Sequence, residues 1–163
     1  MSRKPGVTTI PVTEVPMTGL FNGSQRYLPS VLVVDDECAI ADSLAEILNR
    51  SGHRATTAYD AATALETALL SPPDVLITDV VLPGMNGIEL GITMRRIFPD
   101  CKVVLFSGNA ATSSMLEPAT RAGHNFVLLT KPVHPTEILS RVADCVRSRM
   151  ESMAAHAGAS AAL

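Results

Sequence analysis

Short apolar runs alternate with amphipathic segments from about Leu28 onward. The apolar runs have the length and the β-branched content of buried strands, and we predict strands at residues 31–34, 54–58, 75–78, 102–106 and 126–129. The other segments repeat apolar residues with helical spacing, which predicts helices at residues 39–50, 60–70, 88–98, 112–122 and 135–150. Alternating strands and helices are typical of βαβ units, so we predict an α/β domain.

Local signals agree with several of these boundaries. Gly52 follows the first helix and suits the left-handed backbone of a helix end. Asp60 is a suitable N-cap for the second helix. Pro118 lies inside the fourth helix and removes one backbone donor, so we expect that helix to be short or kinked.

The two ends of the chain differ from the alternating part. Residues 1–27 mix Pro, Gly and Thr with isolated valines, and we predict a flexible extension there. Pairing of these valines with the sheet edge of a partner is the alternative. Residues 151–163 are rich in Ala and low in complexity, which predicts a flexible tail. Residues 28–150 remain as the folded domain.

Composition and charge exclude several classes of function. The chain has 163 residues, 47% of them hydrophobic, and a net charge of −3, as an ordinary soluble domain does. Its 13 Lys and Arg are scattered and outnumbered by 16 Asp and Glu, which disfavours direct binding of nucleic acid. Three arginines of the last helix do not share one face, and we expect a solvated surface at Arg141, Arg147 and Arg149.

The cysteines and the lengths of the apolar runs indicate in which compartment of the cell the protein lies. Cys38, Cys101 and Cys145 are odd in number and widely spaced, which is typical of reduced thiols in a cytoplasmic protein. We expect Cys38 to be a small buried thiol. No run is long enough to span a membrane, and the first residues lack the apolar stretch of a signal peptide.

Two of the predicted strands are followed by acid. Asp35 and Asp36 follow the first strand, and Asp79 follows the third. Parallel strands end at one edge of a sheet, the carboxyl edge, so we expect these side chains to meet there. Three carboxylates repel one another and lose hydration, and Mg²⁺ removes that conflict because it binds carboxylate, water and phosphate oxygens. A site for Mg²⁺ and phosphate is the first hypothesis.

Four motifs occur in order along the chain: the pair Asp35 and Asp36, the segment DVVLPGMNG that starts at Asp79, LFSG with Ser107, and TKP with Lys131. Each motif alone is weak. Together they resemble the receiver domain of two-component response regulators, over about residues 28–150. The resemblance implies a flavodoxin-like, doubly wound sheet of five parallel strands in the order 2-1-3-4-5, with the site at the carboxyl edge.

The resemblance also implies a role for each motif. Asp79 would accept a phosphoryl group from the phosphohistidine of a sensor histidine kinase or a phosphotransfer protein. Ser107 would donate its hydroxyl, and Lys131 its ammonium, to phosphoryl oxygens. The ligands of Mg²⁺ would be Asp35, Asp36, Asp79 and the backbone carbonyl of Val81. Pro132 after Lys131 matches a peptide bond that is usually cis in the family.

One position departs from the family pattern. Three residues before the lysine, receivers commonly carry a ring that moves inward when the hydroxyl residue turns toward the phosphate, but this chain has Leu128 there. Phe126, on the same face of the strand, is the alternative source of a ring. We therefore expect a modest conformational change, carried by the loop from Ser107 to Thr112.

Three classes of function follow. The leading one is a stand-alone receiver that catalyses only its own phosphorylation and dephosphorylation and signals to an unknown protein target. We expect it to stand alone because no output domain fits after Lys131. A homodimer is also possible. The second is a phosphatase of the haloacid dehalogenase type, but the place of its general acid is taken by Val81, which has no proton to give. The third, a degenerate receiver that only binds a partner, ranks below because the site residues are all present.

Overall fold

The five apolar runs form one parallel sheet in the order 2-1-3-4-5, which confirms the flavodoxin-like arrangement. The computed structural model describes residues 27–108 and 112–160, the last four of them only as helical backbone. The strands are β1 (Ser30–Val34), β2 (Arg54–Ala58), β3 (Val75–Asp79), β4 (Lys102–Ser107) and β5 (Val127–Thr130). Phe126 precedes β5, which begins one residue later than predicted.

Helices cover both faces of the sheet. They are α1 (Cys38–Arg50), α2 (Ala61–Leu70), α3 (Gly87–Ile97), α4 (Thr112–Arg121) and α5 (Pro135–Ser160). Because side chains alternate along a strand, Val33 packs with α1 and α5, whereas Leu32 and Val34 pack in the layer of α2 and α3. None of the helices described is long and apolar enough to cross a membrane.

Most predicted boundaries hold to within a residue or two. Gly52 is left-handed, with a φ of 87°. The Asp60 side chain accepts the backbone N–H of Thr63, as an N-cap does. The predicted end of the last helix at Met150 is wrong, because α5 continues to Ser160. Residues 1–26 and 161–163 lie outside the described residues, so their flexibility stays a prediction.

An ion pair is buried at the amino edge of the sheet, where the strands begin. The Nη1 atom of Arg149 lies 2.9 Å from Oδ1 of Asp74. The other oxygen of Asp74 accepts the backbone N–H of Ser30 at 2.7 Å and the hydroxyl of Tyr27. The Arg149 side chain is only 20% exposed, so the expectation that it lies on a solvated surface is wrong. This pair ties α5 to the starts of β1 and β3.

The three cysteines are free thiols in different environments. Cys38 is exposed at the start of α1, so the expectation of a buried thiol there is wrong. Burial raises the pKa of Cys101 to about 12, and burial also raises the pKa of Cys145. Both buried thiols are therefore neutral at physiological pH.

Candidate functional site

Three acids meet at the carboxyl edge of the sheet. The register pairs Val34 of β1 with Thr78 of β3, so the chain reaches Asp35 and Asp79 at the same level. Carboxylate oxygens of Asp35, Asp36 and Asp79 all lie within 4.8 Å of one another. The side chain of Asp35 is buried, that of Asp79 is largely buried and that of Asp36 is exposed. The cluster is thus open to solvent on one side.

Lys131 reaches this cluster from the end of β5. Its ammonium lies 2.9 Å from Oδ2 of Asp35 and 3.1 Å from Oδ2 of Asp79. Its backbone N–H donates to the carbonyl of Ser107 at 2.8 Å, and the Lys131–Pro132 peptide is cis. Burial favours the neutral amine, but the hydrogen bonds and charges of Asp35 and Asp79 outweigh burial and raise the pKa of Lys131. The side chain is therefore a cation at neutral pH.

The charges of the site do not balance. Within the described part of the chain, one ammonium faces three carboxylates, which leaves two negative charges. Backbone N–H groups satisfy part of this excess: Glu37 donates to Asp35 at 3.0 Å and Val81 donates to Asp79 at 3.2 Å. A set of carboxylate oxygens this close together, with two charges in excess, fits Mg²⁺. The donor atoms are hard oxygens, which the soft metals do not prefer.

The loop after Asp79 brings the start of α3 against the site. A Cβ added to Gly87 would lie 1.9 Å from the carbonyl oxygen of Asp79, so only glycine fits there. The Val81 side chain is 61% exposed, which leaves its backbone as the part that faces the acids. That the Val81 carbonyl binds metal stays a prediction.

Asn86 has a structural role that the sequence interpretation missed. Its side chain accepts the N–H of Glu89 at 2.9 Å, and the Glu89 side chain accepts the N–H of Asn86 at 3.2 Å. This reciprocal capping box fixes the first turn of α3. The spacing of Asn and Glu three residues apart was the available signal, although Asn86 looks like a loop residue in the sequence.

Ser107 ends β4, beside the strand that carries Asp79. Phe106 pairs with Asp79 in the sheet, and Ser107 follows it. The Ser107 hydroxyl is hydrogen-bonded to the hydroxyl of Thr112, the first residue of α4. Both residues are buried, with 2% and 1% of their surface exposed. The sequence predicted Thr112 as the first residue of this helix and as the end of the loop from Ser107, but not the contact between the two hydroxyls.

The ring of Phe126 lies against α3. Phe126 and Leu128 pack on the same face of the sheet, as expected. Atoms of the Phe126 ring lie 3.4 and 3.6 Å from the position that a Cβ on Gly91 would occupy. The ring also stacks on His124, with 5.8 Å between centroids. Phe126 therefore occupies the space above a glycine in the second turn of α3.

An apolar groove opens beside the site, between α1 and α5. Asp35 and Lys131 are among the residues that line it. Its apolar walls come mainly from Ile40, Leu44, Ile47, Val133 and Ile138. Ile40 is 37% exposed, so part of this apolar surface faces solvent.

Comparison with curated proteins identifies relatives that match about 70% of the chain. CpdR of Brucella abortus, a response regulator receiver protein, is 30% identical over 112 residues, which are 69% of this chain and 92% of CpdR. TcrX of Mycobacterium tuberculosis, a probable transcriptional regulatory protein, is 33% identical over 118 residues, or 72% of this chain. The chain spans 50% of TcrX, and 24% of NtrC of Azospirillum brasilense.

Solved structures and the family pattern agree. A CheY-like response regulator receiver domain protein from Methanospirillum hungatei JF-1 has a TM-score of 0.70 and 26% sequence identity, and the match covers 77% of this chain and 99% of that one. The family of the response regulator receiver domain matches residues 31–143, which is more than half of the chain. The chain belongs to the receiver domain family of two-component response regulators.

Proposed function

We propose that the protein is a phosphorylatable receiver, which takes a phosphoryl group on Asp79 from a sensor histidine kinase or a phosphotransfer protein. One observation carries the proposal: Asp79 lies within 4.8 Å of two further acids and 3.1 Å from the Lys131 ammonium, in a cluster that solvent reaches. A carboxylate that only stabilised the fold would need one cation and no further acids. Membership of the receiver family supports this role over the phosphatase of the haloacid dehalogenase type.

The chemistry follows from the groups present. An oxygen of Asp79 attacks phosphorus, and the bond from phosphorus to the donor histidine breaks with its electron pair left on the imidazole nitrogen. The Lys131 ammonium can then pair with a phosphoryl oxygen, and the Ser107 hydroxyl can donate to another. Mg²⁺ held by Asp35, Asp36 and Asp79 would offset the charge of the carboxylates and the phosphoryl oxygens.

The groove between α1 and α5 supports the choice of a protein as phosphoryl donor. Asp35 and Lys131 are among the residues that line it, so a helix docked in it would bring its histidine close to the carboxyl edge. Ile40 and Ile47 of α1 line it and provide the apolar contact that such docking needs. We propose that this groove binds the donor domain.

We propose further that the output is a contact with a protein, without direct binding of nucleic acid, in the cytoplasm. The net charge of −3 and the likeness to CpdR over 92% of its length support a receiver that signals by itself. TcrX and NtrC are named as transcriptional regulators, which is the reason to test DNA. A mobility shift of duplex DNA by the phosphorylated protein at physiological salt would contradict this part of the proposal.

The acceptor is tested by phosphorylation with acetyl phosphate and Mg²⁺, followed by intact mass measurement. The wild type should gain one hydroxylamine-labile phosphoryl group, and Asp79→Asn should gain none. Asp100→Asn, which changes an exposed acid away from the cluster, should behave as the wild type does. Equal labelling of the Asp79→Asn variant would exclude Asp79 as the acceptor.

A further inference from the structure

Few side chains hold helix α4 to the domain. Of its ten residues, only Thr112 and Ala119 are buried. Pro118 lies inside the helix and has no N–H to donate, which removes one helical hydrogen bond. A helix with so little buried surface can shift or fray at a small cost in free energy. Each contact at its ends therefore matters for its position.

The hydrogen bond between Ser107 and Thr112 is such a contact. Ser107 is the last residue of β4, and its carbonyl accepts the N–H of Lys131 at 2.8 Å, so its backbone is fixed in the sheet. Thr112 is the first residue of α4, and both hydroxyl-bearing residues are buried. The bond thus ties the first turn of α4 to the strand next to Asp79.

We propose that Thr112 is the positioning residue that couples the state of Asp79 to helix α4. The inference rests on the proposed phosphorylation of Asp79. In the unphosphorylated protein the hydroxyls of Ser107 and Thr112 are hydrogen-bonded to each other. Phosphoryl oxygens only accept hydrogen bonds, and the single hydroxyl hydrogen of Ser107 has to point at them to bind. Turning the Ser107 side chain from α4 toward Asp79 moves its oxygen away from the Thr112 hydroxyl, which breaks their hydrogen bond whichever hydroxyl donates, and releases the first turn of α4.

The aromatic positions support a hydroxyl as the coupling group. Leu128 has no ring that could fill space left by a turning Ser107. The ring of Phe126 is already packed above Gly91 and against His124. A pair of buried hydroxyls needs no movement of a ring to transmit the change.

The test uses beryllofluoride with Mg²⁺ as a mimic of the phosphoryl group, and two variants of matched shape. Thr112→Val removes the hydroxyl and keeps the branched side chain, whereas Thr112→Ser keeps the hydroxyl. The Val variant should bind beryllofluoride roughly two- to tenfold more tightly, the factor that a lost hydrogen bond represents in an equilibrium constant. Its amides in the first turn of α4 should exchange rapidly with or without the mimic. The Ser variant should behave as the wild type does.

Two outcomes overturn the inference. One is equal affinity for beryllofluoride in the wild type and in both variants. The other is measured on the wild type and so does not depend on whether Thr112→Val folds. Beryllofluoride should speed amide exchange in the first turn of α4 and leave exchange in α2 unchanged. Unchanged amide exchange in α4 would exclude the coupling. Labelling of Asp79 separates the two proposals. If Asp79 is phosphorylated but the Thr112 variants behave as the wild type does, the coupling is refuted and the proposed phosphorylation stands. If Asp79 is not labelled, both proposals are refuted.

Discussion

Asp74 at the amino edge of the sheet and Asp79 at the carboxyl edge are both largely buried carboxylates that face a cation. At the amino edge the charges match: one carboxylate faces Arg149 at 2.9 Å, and its second oxygen accepts two further hydrogen bonds. At the carboxyl edge, among the residues that the structure describes, one cation, Lys131, faces three carboxylates. The positive and negative charges are therefore equal in number at the amino edge, whereas carboxylates are in excess at the carboxyl edge.

This difference separates a structural pair from a binding site. A buried pair with all its oxygens satisfied can only stabilise one packing, because any other ligand would compete with bonds already made. A cluster with surplus negative charge gains from a cation and can exchange partners when a phosphate arrives. We therefore expect changes at the amino edge to affect stability and changes at the carboxyl edge to affect ligand binding.

The largest effect on stability is expected at the amino edge. Arg149→Met leaves the Asp74 carboxylate buried without its cation, and we expect the free energy of unfolding to fall by about 3 kcal/mol. Arg147→Met is the matched control, since Arg147 pairs with Asp144 on the surface, and its loss should stay within about 0.5 kcal/mol. Urea denaturation measures both. Equal losses would mean that the buried pair contributes no more than a surface pair.

At the carboxyl edge the expected effect is on metal affinity. Asp36→Asn replaces a charged carboxylate by a neutral amide and removes one repelling charge, so Mg²⁺ affinity should fall about tenfold or more, while stability without metal holds or rises. Asp100→Asn should leave Mg²⁺ binding as it is. Titration calorimetry and a thermal melt of the metal-free proteins give the two quantities. An unchanged affinity in Asp36→Asn would place the metal elsewhere.

The smallest effect concerns pH at the amino edge. Burial, with the Asp74 carboxylate beside the hydroxyl, raises the pKa of Tyr27 from 10.0 to about 12. A raised pKa means that the folded state holds this proton more tightly, so the contribution is complete below pH 10 and is lost as the pH rises toward 12. Tyr27→Phe should lower the free energy of unfolding by less than about 1 kcal/mol at neutral pH, because Tyr27 is half exposed and solvent screens its bond to Asp74. That difference should shrink above pH 10 in urea denaturation, and a constant difference would contradict the linkage.

The elements of the domain were predictable because their signals are local. Strand and helix spacing is read within a dozen residues, and Asp60 and Gly52 mark helix ends by their own backbone preferences. The approach of Asp35 to Asp79 followed from two adjacent strands that end in acid. The strand order came from the resemblance of four motifs and not from the pattern itself. The end of α5 was missed because Ala-rich sequence was interpreted as a tail, although Ala favours helices.

By itself the sequence determined the alternating elements, the acids at the strand ends and the family. Only the tertiary structure decided which distant side chains meet. Arg149 looks like a surface residue in the sequence, but α5 carries it to Asp74. The sequence predicts a helix that begins at Thr112, but not that α4 places the Thr112 hydroxyl on Ser107. The physical reason is that such contacts depend on how a helix is packed and rotated on the sheet, and this is set by the whole core and not by neighbouring residues.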